Sequence, residues 1–384
     1  MKILPKLQKM IARAKQRLPQ LGDVPEEQMV PLTMQAMQQQ ADLGTGEQNL
    51  EGMSGLELRT TAERLMSMGR WDEAQEYYFA ALEKAERAGD SDGQCKCATA
   101  LGRLCLQRGD FPQATALCQQ ALALAERIDD RRLMGVIYSQ MGGTYRMQGS
   151  YAQAIEYYRK SLENSEEIGD EHQLAVSYGN LGIVYMQQGD FDRAIEAYKR
   201  SLEYSIKIGA DQLIASEYDN LGIVYHEQGR YNLAVEMHQK SLEIRLRIGD
   251  QQGIAKSYAN LGDVHRELGK YEQAIQMQRK ALEINERIGN ERDAAMSYGN
   301  LAIVYREIGD VGQALEYYHK SLSTLERIGD RHTAAITYFN LGNLYREQGE
   351  REQARANYEK AKALYEMVGD ARRAQRAGQA LRLL

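Results

Sequence analysis

The spacing Tyr-x-Asn-Leu returns at a fixed interval of forty residues: Tyr178 with Asn180 and Leu181, Tyr218 with Asn220 and Leu221, Tyr258 with Asn260 and Leu261, Tyr298 with Asn300 and Leu301, Tyr338 with Asn340 and Leu341. A unit of this length carrying two helical patterns cannot bury its apolar face alone. Neighbouring units must stack and share one interior. The spacing therefore predicts an all-α chain, an α-solenoid.

Within residues 172–211, Tyr178, Leu181, Gly182 and Tyr185 fall on one face of a first helix, A. Gly189 supplies a left-handed stop and Asp190 an N-cap, and a second helix, B, buries Ala194, Tyr198, Ser201 and Leu202 before Gly209 ends it. A Gly-Asp or Gly-Asn pair marks the boundary at Gly89, Gly249, Gly289, Gly329 and Gly369, while Asp129 followed by Asp130 lacks the glycine.

Tyr178, Leu181, Gly182, Tyr185, Gly189, Phe191, Ala194, Tyr198 and Ser201 together resemble the tetratricopeptide-repeat pattern. The resemblance implies a right-handed α-solenoid of eight tandem helix-turn-helix repeats over residues 56–371, near 56–91, 92–131, 132–171, 172–211, 212–251, 252–291, 292–331 and 332–371. The first two are degenerate. Residues 372–384, with Arg372, Arg373, Arg376 and Arg382, are expected to form a polar capping helix. The long helix B is similar to that of kinesin light chain and the Pins/LGN spindle adaptors.

Twenty-four Tyr against four Phe and one Trp suit a shallow two-layer core in which a ring is buried while its hydroxyl reaches water. No apolar run is long enough to span a membrane and the N-terminus has no secretory h-region, so a cytoplasmic protein is expected. Cys95, Cys97, Cys105 and Cys118 crowd into the second unit, but their spacing does not match a metal site; Cys105 and Cys118 take core positions held later by Tyr185 and Tyr198. Neither metal nor cofactor is expected.

The formal charge of -6 divides into +6 over residues 1–20 and -12 over the remainder. Lys2, Lys6, Lys9, Arg13, Lys15 and Arg17 alternate with an apolar stripe of Ile3, Leu7, Met10, Ile11, Ala14 and Leu18, so residues 1–20 read as a basic amphipathic segment and 21–55 as a flexible Pro- and Gly-rich linker. A solvated tail, docking on the protein's own acidic repeats or on a partner, and weak peripheral membrane contact all remain open. Nucleic acid is not an expected partner, because the rest of the chain is acidic.

Function is expected on the face of helix A opposite its core. A wheel places Val176, Gly179, Asn180, Ile183, Met186 and Gln187 there, the arc that lines the concave groove in tetratricopeptide repeats. Asn180, Asn220, Asn260, Asn300 and Asn340 persist, while the adjacent column drifts through Gly179, Asp219, Ala259, Gly299 and Phe339. Asn is about 0.6 kcal/mol worse than Ala in a helix interior, so solvation alone does not explain the column. Its amide can pair with both N–H and C=O of an extended peptide, as the resemblance to kinesin light chain and Pins/LGN implies; repeat duplication or inter-helix bonding is the structural alternative. A second column runs Arg146, Met186, His226, Arg266, Arg306 and Arg346, beside Glu227, Glu267, Glu307 and Glu347. It reads either as an inter-repeat ion-pair ladder or as a reader of acidic ligand side chains.

The six histidines show no ligand spacing, and His226 with His265 is the one pair to check. The expected function is a non-enzymatic scaffold or adaptor that binds a protein or peptide. A self-assembling solenoid and a regulator that sequesters an enzyme or signalling protein are the alternatives.

Overall fold

The computed structural model describes residues 50–384; the basic segment expected over 1–20 and nearly all of the linker lie outside them. The described residues form seventeen helices and no strand. The chain divides into two units, Met1–Leu124 and Ala125–Leu384. The first holds α1 (Gly55–Ser67), α2 (Trp71–Ala88), α3 (Ser91–Gln107) and nearly all of α4 (Phe111–Arg127).

The second unit alternates A and B helices. The A helices are α5 (Arg131–Met147), α7 (Glu171–Gln187), α9 (Asp211–Glu227), α11 (Gln251–Glu267), α13 (Glu291–Glu307) and α15 (Arg331–Glu347). The B helices are α6 (Tyr151–Ile168), α8 (Phe191–Lys207), α10 (Tyr231–Ile248), α12 (Tyr271–Arg287), α14 (Val311–Ile328) and α16 (Arg351–Met367), followed by α17 (Ala371–Arg382). These consecutive helix pairs make an α-solenoid.

The helix ends follow from local chemistry. Asp170 accepts the Gln173 backbone N–H at 3.1 Å and Asp330 that of Thr333 at 3.0 Å, satisfying donors that the first turn leaves orphaned. At α9 the cap position is Ala210, with no side-chain bond. Asp129, where the glycine is missing, adopts φ 55° and is the only non-glycine with positive φ among the described residues. Asp tolerates this region better than most side chains because it can bond locally.

Each B helix drives one large side chain into its A partner. Tyr158, Tyr198, Tyr318 and Tyr358 are at most 1% exposed. The Tyr198 ring packs on the bare Cα of Gly182, where a Cβ would come within 2.5 Å of it. Around these rings Leu181, Val184, Leu221 and Val224 make one core cluster, and Leu301, Leu341, Leu344 and Leu325 another. Ion pairs tie the start of four A helices to the end of their B helices: Arg131 with Glu167, Lys207 with Glu171, Arg247 with Asp211 at 2.7 Å, and Arg327 with Glu291 at 2.9 Å.

Successive A helices of the second unit touch one another, whereas no such contact recurs between successive B helices. The A helices therefore occupy its tighter side.

Candidate functional site

The five asparagines occupy equivalent positions on α7, α9, α11, α13 and α15, and all are partly exposed. Their amides differ in what they touch. Asn180 Nδ2 donates to Ser139 Oγ of the preceding repeat at 3.3 Å, and Asn220 Nδ2 to Glu217 Oε2 at 3.2 Å. Asn260 Nδ2 is buried with no partner, and among the described residues Asn300 and Asn340 make no side-chain hydrogen bond. The column is not held throughout by inter-helix bonding.

One part of the expected arc is corrected. Gly179 and Asp219 do not face outward but are buried, because the next A helix covers them. Gly179 faces Glu217, and Asp219 accepts from Ser257 Oγ at 3.4 Å. A wheel drawn from one repeat contains no neighbour and cannot show this.

The basic column forms ion pairs between repeats. Arg266 Nη1 lies 2.7 Å from Glu307 Oε1 and its Nη2 also meets Glu267; Arg306 Nε lies 3.8 Å from Glu347 Oε2. Arg346 is exposed and forms no ion pair among the described residues. His226 tilts against Tyr231, centroids 5.6 Å apart, and its Nε2 is buried without a partner, as is His265 Nδ1. Burial also lowers the His265 pKa.

Two polar groups escaped the sequence reading. Asp263 stands with Ile183, Ile223, Ile303 and Asn343 in its column and accepts from Gln278 Nε2 at 2.9 Å. Burial pushes its carboxyl up to about 7, against the pull of Arg266. The second is a buried network in which Asp219 accepts from Arg245 Nη2 at 3.0 Å and meets His238 Nδ1 at 3.0 Å, while Arg245 Nη1 reaches Asp250 at 2.5 Å. A charged residue where the other repeats carry uncharged ones marks both: Asp263 against Ile183, Ile223, Ile303 and Asn343, and Arg245 against Ser165, Ser205, Asn285 and Leu325.

Cys95, Cys97, Cys105 and Cys118 are buried and form no disulfide, and burial pushes Cys97 up to about 11, away from reactive thiolate character. Among the described residues no cluster of His, Cys, Asp and Glu could hold a metal, and no helix is long and apolar enough to cross a membrane.

The sequence finds no match among the curated proteins. Among solved structures, BtubC (BKLC) from P. vanneervenii is 26% identical, with 57% of this chain and 92% of that one covered at a TM-score of 0.52. A STAND signal-transduction ATPase with a tetratricopeptide repeat sensor from Pyrococcus horikoshii is 20% identical, covering 84% of this chain but 50% of that one, TM-score 0.63. A Rap protein complexed with competence and sporulation factor is 15% identical, covering 85% and 96%, TM-score 0.57. The last two show the fold alone. The tetratricopeptide repeat profile matches residues 62–127, 133–207, 212–287 and 293–367. The repeats make the protein an interaction scaffold, and the chain belongs to the tetratricopeptide-repeat family.

Proposed function

We propose that the open A-helix face of the second unit is a groove that grips an extended peptide segment of a partner protein, without chemistry of its own. The observation that carries this reading is the state of Asn260, Asn300 and Asn340: same position, same face, and amides with no intramolecular bond among the described residues. An amide that neither packs a core nor bonds a neighbour is available to a ligand backbone. With helix axes ~10 Å apart and an extended chain rising ~3.3 Å per residue, each step spans about three ligand residues, so five rungs hold roughly a dozen.

The arginines support the groove. Arg266 and Arg306 hold neighbouring A helices in register through Glu307 and Glu347, while Arg346 and His226 remain to contact ligand.

The test uses peptides selected from a random display library on the full chain and placed on this face by cross-linking. Asn220→Ala with Asn260→Ala and Asn300→Ala should weaken them by at least about tenfold, since each lost hydrogen-bonded pair costs about 1 kcal/mol. Circular dichroism should stay unchanged. Unaltered affinity of a peptide cross-linked to the A-helix face rejects the reading.

A further inference from the structure

We propose that Asp263 forms a subsite for a cationic side chain, lysine or arginine, of the peptide held on this face; the inference rests on the groove reading above. The expected acidic ligand is thereby reversed for the centre of the groove.

Asp263 sits in a column that is aliphatic on α7, α9 and α13 and carries Asn343 on α15. Ile183, Ile223 and Ile303 occupy its place on α7, α9 and α13, all partly exposed. An aliphatic side chain there costs nothing in desolvation, whereas a carboxylate removed from water needs a counter-charge. The fold supplies none that is free. Arg266, one turn along α11, is already engaged by Glu307 and Glu267, and it acts on Asp263 only as a nearby charge, without an ion pair. A second cation would complete the balance.

The groups around Asp263 match a donor-rich visitor. Gln278 is 0% exposed, and its Nε2 donates to Asp263 Oδ1 at 2.9 Å and to the Ala259 carbonyl at 3.0 Å, which leaves Oε1 buried without a partner. Lone acceptors beside a carboxylate are what an ammonium or guanidinium group satisfies. One turn before Asp263, Asn260 Nδ2 lacks an acceptor, the place for a ligand carbonyl. At the equivalent B-helix positions the Tyr358 hydroxyl is satisfied by Asn343 Oδ1 at 2.7 Å, while those of Tyr198 and Tyr318 are also buried without a partner, so the neighbouring carboxylate is what sets Gln278 apart. Burial raises the pKa of Asp263 by disfavouring its charged form, and a cation placed beside it would lower that pKa again.

The experiment compares peptides selected from a random display library on the full chain. Selected sequences should align on one Lys or Arg, and replacing it with norleucine should weaken binding to the wild type by at least about tenfold. Asp263→Ile, which restores the column, and Asp263→Asn, which keeps the shape, should each reduce that penalty to under about twofold. Absence of a basic position, or a norleucine penalty that survives both substitutions, overturns the subsite. The Asn220→Ala, Asn300→Ala pair separates the two claims. If it weakens binding while no basic preference exists, only the subsite fails. If it leaves binding unchanged, or if no peptide is selected, the groove and the subsite fail together.

Discussion

The Glu217 carboxylate lies against the bare Cα of Gly179 in the preceding repeat, so close that a Cβ on residue 179 would come 2.6 Å from Oε1. Two residues thirty-eight positions apart are thus fitted to each other, a large acid facing an absent side chain. Asp219 and Ser257 repeat the relationship one step on, with the sizes redistributed.

Gly179→Ala should therefore destabilise the second unit by about 1–3 kcal/mol, the usual cost of overpacking. Adding Glu217→Ser should recover most of it, because Ala259 and Ser297 already provide that combination at the equivalent positions. Thermal melts of the two single variants and the double variant check the coupling; additive losses would disprove the fit.

Burial pushes the Glu217 carboxyl from its ordinary 4.5 up to about 7. Between those values the folded protein holds a proton that the unfolded chain has released, so this group's contribution to stability falls as pH rises through the window. Glu217→Gln should leave stability nearly unchanged below pH 4.5 and raise it by up to about 3 kcal/mol above pH 7. Urea titrations at both ends measure the difference, and a gain confined to the acid end contradicts the sign.

Arg245→Met should cost about 3–5 kcal/mol, because it strands Asp219, which is 1% exposed, without its charged partner. Joined to Asp219→Gly it should cost much less, since the buried charge leaves together with its counter-ion. A double variant as unstable as the single would show that the arginine acts by filling space.

Ala210→Asp should stabilise α9 by about 1 kcal/mol. The backbone at 210 (φ -86°, ψ 76°) matches that of Asp170 (φ -79°, ψ 83°), which already caps α7. Amide hydrogen exchange in the first turn of α9 should slow; an unchanged rate would mean that the cap does not form.

Helix boundaries and stacking were legible in the sequence because each rests on a local signal. Gly189 and Asp190 mark their turn without help from any neighbour, and the one missing glycine correctly marks Asp129 as the unusual residue. Contacts between repeats were not. Whether Gly179 meets water or Glu217 depends on the offset between successive A helices, a packing outcome absent from any one repeat. The isoleucine column broken at Asp263 is visible in the sequence, but the buried Gln278 that meets it comes from α12, and only the packing of A on B brings them together. The asparagine column could be found by spacing, whereas the different surroundings of Asn180 and Asn260 could not.

The buried network of Asp219, His238, Arg245 and Asp250 has a consequence for the order of the repeats. Near-identical modules invite a folding chain to pair the wrong neighbours, since one apolar interface resembles the next. Arg245 fits only where Asp219 lies on one side and Asp250 on the other, and a Cβ on Gly253 would fall 1.7 Å from its Nη1. Residues 212–251 therefore accept residues 252–291 as their successor and penalise a substitute, because Gly253 leaves room for Arg245 where another repeat would bring Gln173, Leu213 or Asp293 and overpack the site. The modules look interchangeable but are keyed, and exchanging 212–251 with 252–291 should produce a chain that unfolds at lower urea than the native order.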